Sequence, residues 1–209
     1  AMRETTERRD WRGTDTTTGV CTSICDLSWP QIDAVDKDRT IVFLTVAPIE
    51  EHGHHLPVSV DIRLGEHWRS LATKRLCEEH PSWNFLHMPP MPLAAGNMRG
   101  FPGCFYIRTK LLKTVMKRCL SAIASWGFRN MIVVASHGDP FHLIAIEKAC
   151  DHVRHTFDAE AISPLGAMFS SKELGIDLEQ SEAVDCLLGQ YPNDFHAGWV
   201  ETSMMLDID

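Results

Sequence analysis

The chain has 209 residues, of which 44% are hydrophobic and 23% are charged, with a formal net charge of −8 at pH 7. A chain of this length and composition can bury a sizeable core, which excludes general disorder. The acidic balance argues against nucleic acid or an anionic membrane as a partner, because both bind basic surfaces.

The first predicted elements follow a polar N-terminal segment. Residues 1–20 show no hydrophobic period, so we expect a flexible tail before a domain that spans residues 21–209. A short helix is predicted over Asp26–Val35. Thr40–Val46 is apolar and rich in β-branched residues, which is typical of a strand buried on both faces. Helical spacing follows over residues 63–79.

The rest of the chain continues this alternation of strands and helices. Thr109–Trp126 is the clearest helix, with one apolar stripe and Gly127 at its end. Met131–Ala135 is another short buried strand. The other predicted elements are a strand over Asn84–Met88, a helix that ends near Arg154, a strand over Ala159–Ile162 and a helix over Trp199–Leu206. Buried strands that alternate with helices predict an α/β fold, with a mostly parallel sheet and helices on both faces.

The sequence also predicts the compartment. The longest apolar stretch, Ile41–Ile49, is too short to cross a bilayer, and no segment has the layout of a signal peptide. The seven cysteines are scattered without a CxxC pair, which is typical of reduced thiols in a cytoplasmic protein. A Cys21–Cys25 disulfide across a turn is the alternative.

A dense group of polar side chains follows the strand at Thr40–Val46. Folds with parallel sheets bind their ligands at the carboxyl ends of the strands. Carboxylates and imidazoles in one loop are suitable ligands for Zn, Mn or Fe, whereas a solvated polar loop is the alternative. The candidate ligands in this loop are Glu50, Glu51, His52, His54, His55, Ser59 and Asp61.

Two later segments also carry residues capable of chemistry. His137 and Asp139 follow a predicted strand and are separated by one glycine, so both side chains can face the same crevice, and His142 begins the next helix. The alternative for Asp139 is a helix N-cap. His196 and Glu201 flank the start of the last helix, where capping is again the alternative.

Ala94–Gly103 is glycine-rich but lacks a phosphate-binding spacing. GxGxxG and GxxxxGK[ST] are absent from the sequence, which disfavours dinucleotide and nucleoside triphosphate chemistry, and no GxSxG nucleophile elbow occurs. We interpret this segment as a loop on the substrate side of the site or as an ordered turn.

Taken in chain order, these segments resemble the creatininase (creatinine amidohydrolase) family. The first and last of the matching motifs are the specific ones, and together the motifs extend over roughly residues 40–206. The motifs are Glu50–Pro57 with Asp61, Gly100–Cys104, Ser136–Asp139 and His196–Ser203. The resemblance implies a creatininase-like three-layer α/β fold and a hydrolase with two divalent metal ions.

The resemblance also implies which residues would hold the metal. Glu50, Asp61 and His137 would hold one ion. His52, Asp61 and Asp139 would hold the other, so that Asp61 bridges the two. Zn, Mn or Fe would suit these ligands, and the pair of ions would activate a water molecule.

Further roles are implied for residues around the metal. His196 would stabilise the oxyanion or protonate the departing nitrogen. Glu201 would orient a metal ligand or be a ligand itself. The residues expected to contact the substrate are Asn97, Gly138 and Tyr191.

The predicted function is therefore that of a metal-dependent amidohydrolase. It would cleave a C–N bond, other than a peptide bond, in a small cyclic or linear amide. The resemblance further suggests a homo-oligomer, possibly a hexamer.

Two alternatives remain open. The same metal site could serve a formamide on a nucleotide or a keto-sugar ring, for which Arg63 and Arg99 are the nearest basic residues. Departures from the family pattern at Ala135, Ser136 and Pro140 suggest instead a catalytically idle member that acts as an assembly or binding subunit.

Overall fold

The computed structural model describes residues 19–97, 100–169, 186, 189–192, 194 and 196–208. The tail predicted over residues 1–20 lies outside these ranges, except for its last two residues. Of these, Val20 lies against the sheet, where its carbonyl accepts a hydrogen bond from the N–H of Phe85.

A parallel sheet of five strands forms the centre of the described structure, in the order β1–β3–β2–β4–β5. The strands are β1 Cys21–Ser23, β2 Thr40–Val46, β3 Asn84–His87, β4 Asn130–Ala135 and β5 Glu160–Ile162. β2 is the central strand and has helices on both of its faces. This position explains why its sequence is apolar without alternation.

The helices lie close to the predicted positions, except for the short fifth helix, which the sequence did not predict. They are α1 Trp29–Ala34, α2 Val60–Glu79, α3 Thr109–Ser125, α4 Pro140–Thr156, α5 Pro164–Phe169 and α6 Trp199–Ile208. Among the described ranges, no helix has the length and apolar character needed to span a membrane. All seven cysteines are free thiols, so Cys21 and Cys25 are not paired.

One face of the sheet packs against α3 and α4. Alternate β2 side chains, those of Val42, Leu44 and Val46, are fully buried in this layer. The helices contribute a matching apolar set, which comprises Leu112, Met116, Leu120 and Ile123 from α3 and Ala145, Ile146, Ala149 and Val153 from α4. This is the main core of the protein.

The opposite face of the sheet packs against α2. Gly65 allows this helix to approach closely, because an added Cβ would lie 2.8 Å from Cγ2 of Thr45. Helix α6 packs on α2 in turn through Val60, Leu64 and Met205. The α/β fold with helices on both faces of a parallel sheet is thus confirmed.

Candidate metal centre

Two neighbouring strands bring their polar loops to one edge of the sheet. β2 and β4 pair so that Val46 lies opposite Ala135, and both strands end there. The loop after β2 carries Glu50 and His52 and leads into α2. The loop after β4 carries His137.

The first group of candidate ligands consists of Glu50, Asp61 and His137. One ligand atom from each residue lies within 4.8 Å of the other two, and all three residues are buried. Nδ1 of His137 is 3.0 Å from Oε2 of Glu50 and 3.8 Å from Oδ2 of Asp61. The structure therefore brings together the three residues that the family resemblance assigns to one ion.

The second group consists of His52, Asp61 and Glu201. One ligand atom of each residue again lies within 4.8 Å of the other two. Nε2 of His52 lies 3.8 Å from Oδ1 of Asp61 and 3.7 Å from Oε1 of Glu201. The other ring nitrogen, Nδ1, lies 3.1 Å from the carbonyl oxygen of Glu50 and can donate to it. This contact would fix the tautomer that leaves Nε2 free to bind a metal. Asp61 belongs to both groups.

Several polar atoms at the centre of these groups are buried without a hydrogen bond. They are Nε2 of His52, Oδ2 of Asp61 and Oε2 of Glu50, whose 3.0 Å approach to Nδ1 of His137 is an ion-pair contact without hydrogen-bond geometry. A buried polar atom left in this state costs roughly 1–3 kcal/mol, so native proteins rarely collect three in one place without a function. Carboxylate oxygens and an imidazole nitrogen are the ligands that Zn, Mn and Fe accept. The residues present fit divalent metal ions.

The site holds protons that a metal ion would have to displace. Burial lowers the pKa of His52, but Glu201, the Glu50 carbonyl and Asp61 outweigh it and raise the pKa to about 9. Burial raises the pKa of Asp61 to about 8, although His137 and His52 oppose it. Burial also acts to raise the pKa of Glu50, yet His137 and Tyr106 lower it to about 2.

Asp139 lies at the start of α4 and caps the helix. Its Oδ1 accepts hydrogen bonds from the backbone N–H groups of Phe141, at 2.8 Å, and His142, at 3.2 Å. It belongs to none of the ligand groups found among the described residues. Where the resemblance implies Asp139 beside His52 and Asp61, the structure places Glu201, which the resemblance named as a ligand or as a residue that orients one.

His196 lies at the edge of the centre. Its Nε2 is 2.6 Å from the carbonyl oxygen of Glu51, and its ring centroid is 4.4 Å from that of His52. The side chain is 29% exposed, so it faces both the buried ligands and solvent. Glu50, His52 and His196 form a further candidate group, in which one ligand atom of each residue lies within 4.8 Å of the other two.

The predicted substrate residues lie farther out, and their roles stay predictions. Asn97 lines a cavity next to the centre. Gly138 is exposed beside His137. Tyr191 is 54% exposed, and its carbonyl accepts a hydrogen bond from the N–H of Asp194. Arg99 lies outside the described residues.

Sequence reasoning missed Tyr106. Its hydroxyl donates a hydrogen bond to Oε1 of Glu50, and its ring stacks near that of His137 with centroids 6.3 Å apart. Gly96 makes room for the ring, because an added Cβ would lie 2.3 Å from Cε1 of Tyr106. The glycine-rich segment before it indicated an ordered loop, but nothing in the sequence indicated that the Tyr106 side chain contacts Glu50.

Two polar residues near His137 were also not assigned a role. Ser136 donates a hydrogen bond from its hydroxyl to the backbone carbonyl of Asp61 and so ties the loop after β4 to α2. His142 is fully buried and meets His137 edge-on at 5.2 Å. Burial lowers the pKa of His142 to about 3, which keeps its ring neutral.

The sequence of the chain matches the model of a known protein family. Residues 25–209 match the family model described as Creatininase: Creatinine amidohydrolase. The chain belongs to the creatininase family. The resemblance noted in the sequence motifs is thereby confirmed.

A curated relative of the chain carries a different name. The chain is 27% identical over 172 residues to the "Mycofactocin precursor peptide peptidase" of Mycobacterium ulcerans (strain Agy99). The match covers 80% of this chain and 58% of the relative, so the chain spans less than two thirds of that protein.

Solved structures of the family share the fold. A crystal structure of creatinine amidohydrolase (creatininase) is 22% identical, with a TM-score of 0.61, over 88% of this chain and 71% of that chain. A structure named "Creatininase Mn" is 22% identical over the same shares of the two chains, with a TM-score of 0.58.

Proposed function

We propose that the protein is a metal-dependent hydrolase that cleaves the C–N bond of an amide. The observation that carries this proposal is the pair of buried ligand groups that share Asp61, with three buried polar atoms facing their centre and making no hydrogen bond. Membership of the creatininase family supports the proposal, since its model is described as creatinine amidohydrolase.

The two ligand groups suggest how the ions would be held. Glu50, Asp61 and His137 would hold one ion, and His52, Asp61 and Glu201 the other. Divalent Zn, Mn or Fe would act there as a Lewis acid toward the scissile carbonyl and would lower the pKa of a water molecule. The name of the structure "Creatininase Mn" supports manganese as one candidate.

His196 is suited to move a proton at this site. The contact between Nε2 and the Glu51 carbonyl orients the ring beside His52. Nδ1 carries no hydrogen in the neutral ring, so it can accept a proton from the attacking water molecule and then donate that proton to the departing nitrogen or hydrogen-bond through it to the developing oxyanion. Tyr106 holds Glu50 in place, and burial raises the pKa of its hydroxyl, which therefore stays a hydrogen-bond donor.

Ser136 argues for an active member rather than an idle one. This residue departs from the family pattern, yet its hydroxyl supports the backbone of Asp61. This departure therefore adds a hydrogen bond that holds the backbone of a proposed metal ligand, which favours an active member.

The substrate is proposed to be a small amide, with a peptide bond included in its range. The family description supports amides of the creatinine type, and the relative named as a peptide peptidase supports a peptide bond. We also propose a cytoplasmic homo-oligomer, for which the free thiols and the family membership are the support. Light scattering measures the oligomeric mass directly.

The deciding experiment is elemental analysis of protein purified without chelator and without a histidine tag. We expect about two divalent ions per chain in the unmodified protein. Asp61→Asn removes the shared ligand and should leave less than one ion. It should also lower the turnover of any amide or peptide substrate by at least roughly 100-fold, the upper range for residues that only support a ligand.

Asp158→Asn is the matched control, because this carboxylate is 99% exposed and lies away from the centre. It should keep both the ions and the turnover. The proposal fails if the unmodified protein binds neither Zn nor Mn, or if Asp61→Asn retains full turnover.

A further inference from the structure

A cavity of about 560 Å³ lies beside the metal centre, between the loop that precedes α3 and the start of α4. We call it the side cavity. Its volume lies within the range of roughly 300–1,000 Å³ that is typical of pockets for small organic ligands. The lining residues that matter below are Asn97, Phe101, Cys104, Tyr106, Arg108 and Phe141.

The side cavity borders the ligand groups directly. Tyr106 lines it and donates its hydroxyl hydrogen to Glu50. Cys104 also lines it, and its sulfur accepts a hydrogen bond from the backbone N–H of Glu51 at 3.3 Å. A molecule in the side cavity would therefore lie one side chain away from Glu50.

Two phenylalanines make part of the side cavity apolar. Phe101 is 54% exposed and Phe141 is 57% exposed, and they reach it from different segments of the chain. Single exposed apolar residues are common on protein surfaces, but large ones that gather at a concave site mark a binding surface. These two side chains suit an apolar group of a ligand.

Among the lining residues that the structure describes, one basic side chain, that of Arg108, supplies positive charge. Arg108 is exposed, and it has no ion pair or side-chain hydrogen bond within the described ranges. The lining residues that the structure describes include no aspartate and no glutamate. In a protein with a net charge of −8, this guanidinium is a local site for an anion.

We propose that the side cavity binds the part of the substrate that carries an apolar group ending in a carboxylate, and that Arg108 recognises this carboxylate. A guanidinium pairs with a carboxylate through two parallel hydrogen bonds, and one cation balances one negative charge. The proposal rests on the proposed function, since it names the class of amide that the metal centre would select.

The test measures binding of three small probes by NMR titration: 3-phenylpropionate, its neutral amide 3-phenylpropionamide, and propionate. The metal-loaded protein should bind 3-phenylpropionate about tenfold more tightly than the amide, in line with a charge-assisted hydrogen bond. It should also bind 3-phenylpropionate about tenfold more tightly than propionate, which lacks the apolar ring. Arg108→Met should remove the preference for the acid over the amide. Phe101→Ala should weaken the binding of both phenyl probes.

Lys110→Met is the matched control, because Lys110 is an exposed cation in the first turn of α3 that does not line the side cavity. It should leave all three affinities within about twofold. Equal affinity for acid and amide overturns the proposal, as does an acid preference that survives Arg108→Met. Loss of acid binding after chelation, with no effect of Arg108→Met, also overturns it, because the carboxylate would then bind the metal instead.

The metal content separates this proposal from the proposed function. Arg108→Met should retain the same number of ions per chain as the unmodified protein. If the protein binds no metal but still prefers the acid through Arg108, the proposed function fails and the carboxylate site stands.

Discussion

Glu201 and Asp139 are two carboxylates at the metal centre and its edge, and they have different partners. Oε1 of Glu201 lies 3.7 Å from His52, and Oε2 accepts a hydrogen bond from the N–H of Ala197. Asp139 instead caps α4. A helix cap and a metal ligand respond differently to an amide substitution, so the two roles can be separated.

We expect Glu201→Gln to lower the metal content from about two ions per chain to about one, because an amide is a poor ligand for these metals. Asp139→Asn should keep the metal, because asparagine also caps a helix well. Elemental analysis of both variants checks this. Loss of an ion in Asp139→Asn alone would return Asp139 to the role that the sequence predicts.

The protons held by His52 and Asp61 make metal binding depend on pH. With pKa values of about 9 and about 8, both groups are protonated at pH 7 in the metal-free protein. A metal ion binds only their unprotonated forms, so its affinity should rise between pH 6 and pH 9. The rise is about tenfold per pH unit for each proton displaced below the pKa of its group, and it levels off above that pKa. Competition titrations against a chelator at several pH values measure it, and an affinity that does not change with pH would contradict these protonation states.

At the scale of elements, the packing of α2 against the sheet positions Asp61. Gly65 lies one turn after Asp61, and an added Cβ would lie 2.7 Å from Oγ of Ser136 and 2.8 Å from Cγ2 of Thr45. The same Ser136 hydroxyl supports the carbonyl of Asp61. A change at this glycine therefore reaches the metal centre through the helix.

Gly65→Ala should lower the free energy of unfolding by about 1–3 kcal/mol, because overpacking between helix and strand outweighs the better helix propensity of alanine. It should also weaken metal binding. Urea unfolding of the metal-free variant measures the first effect, and a chelator titration the second. Ser70→Ala, on the exposed side of α2, is the control and should change stability by at most about 0.5 kcal/mol. Unchanged stability in Gly65→Ala would show that α2 can move from the sheet without cost.

The elements differ in how well the sequence predicts them. The pattern of long apolar runs predicts β2, β4 and α3 to within one residue at each end, because burial on both faces or along one stripe leaves a clear pattern. β1 was missed. It has three residues, none of them buried, and pairs with β3 at the edge of the sheet, so it has no hydrophobic pattern.

The residues of the candidate site also differ in how well the sequence predicts their proximity. Glu50, His52 and His137 follow buried strands, so their proximity could be predicted from the rule that parallel strands end at one edge. The approach of Glu201 and Tyr106 depends on how distant loops and α6 pack. Local sequence does not encode such contacts in a readable pattern, so Tyr106 needed the structure, whereas Glu201 came from the family resemblance, which left two roles open for it.

At the scale of the whole molecule, metal binding should stabilise the fold. A ligand that binds only the folded state adds about 2.7 kcal/mol when its concentration is 100 times the Kd. For a chain of this size, each kcal/mol raises the Tm by about 2–4 °C. Saturating Mn should therefore raise the Tm by about 5–10 °C relative to protein in chelator. Asp61→Asn should show almost no rise, and an equal rise in that variant would place the stabilising ion elsewhere.

The contact between His196 and the Glu51 carbonyl joins residues that are 145 positions apart, and the hydrogen bond between His55 and Thr202 joins residues 147 apart. During synthesis, a ribosome must therefore release the chain as far as α6 before Glu201 can meet His52. Contacts of such long range form late in folding. We expect the nascent chain to build its sheet first and to acquire metal afterwards, so the ions available to the folded protein would determine which metal it carries.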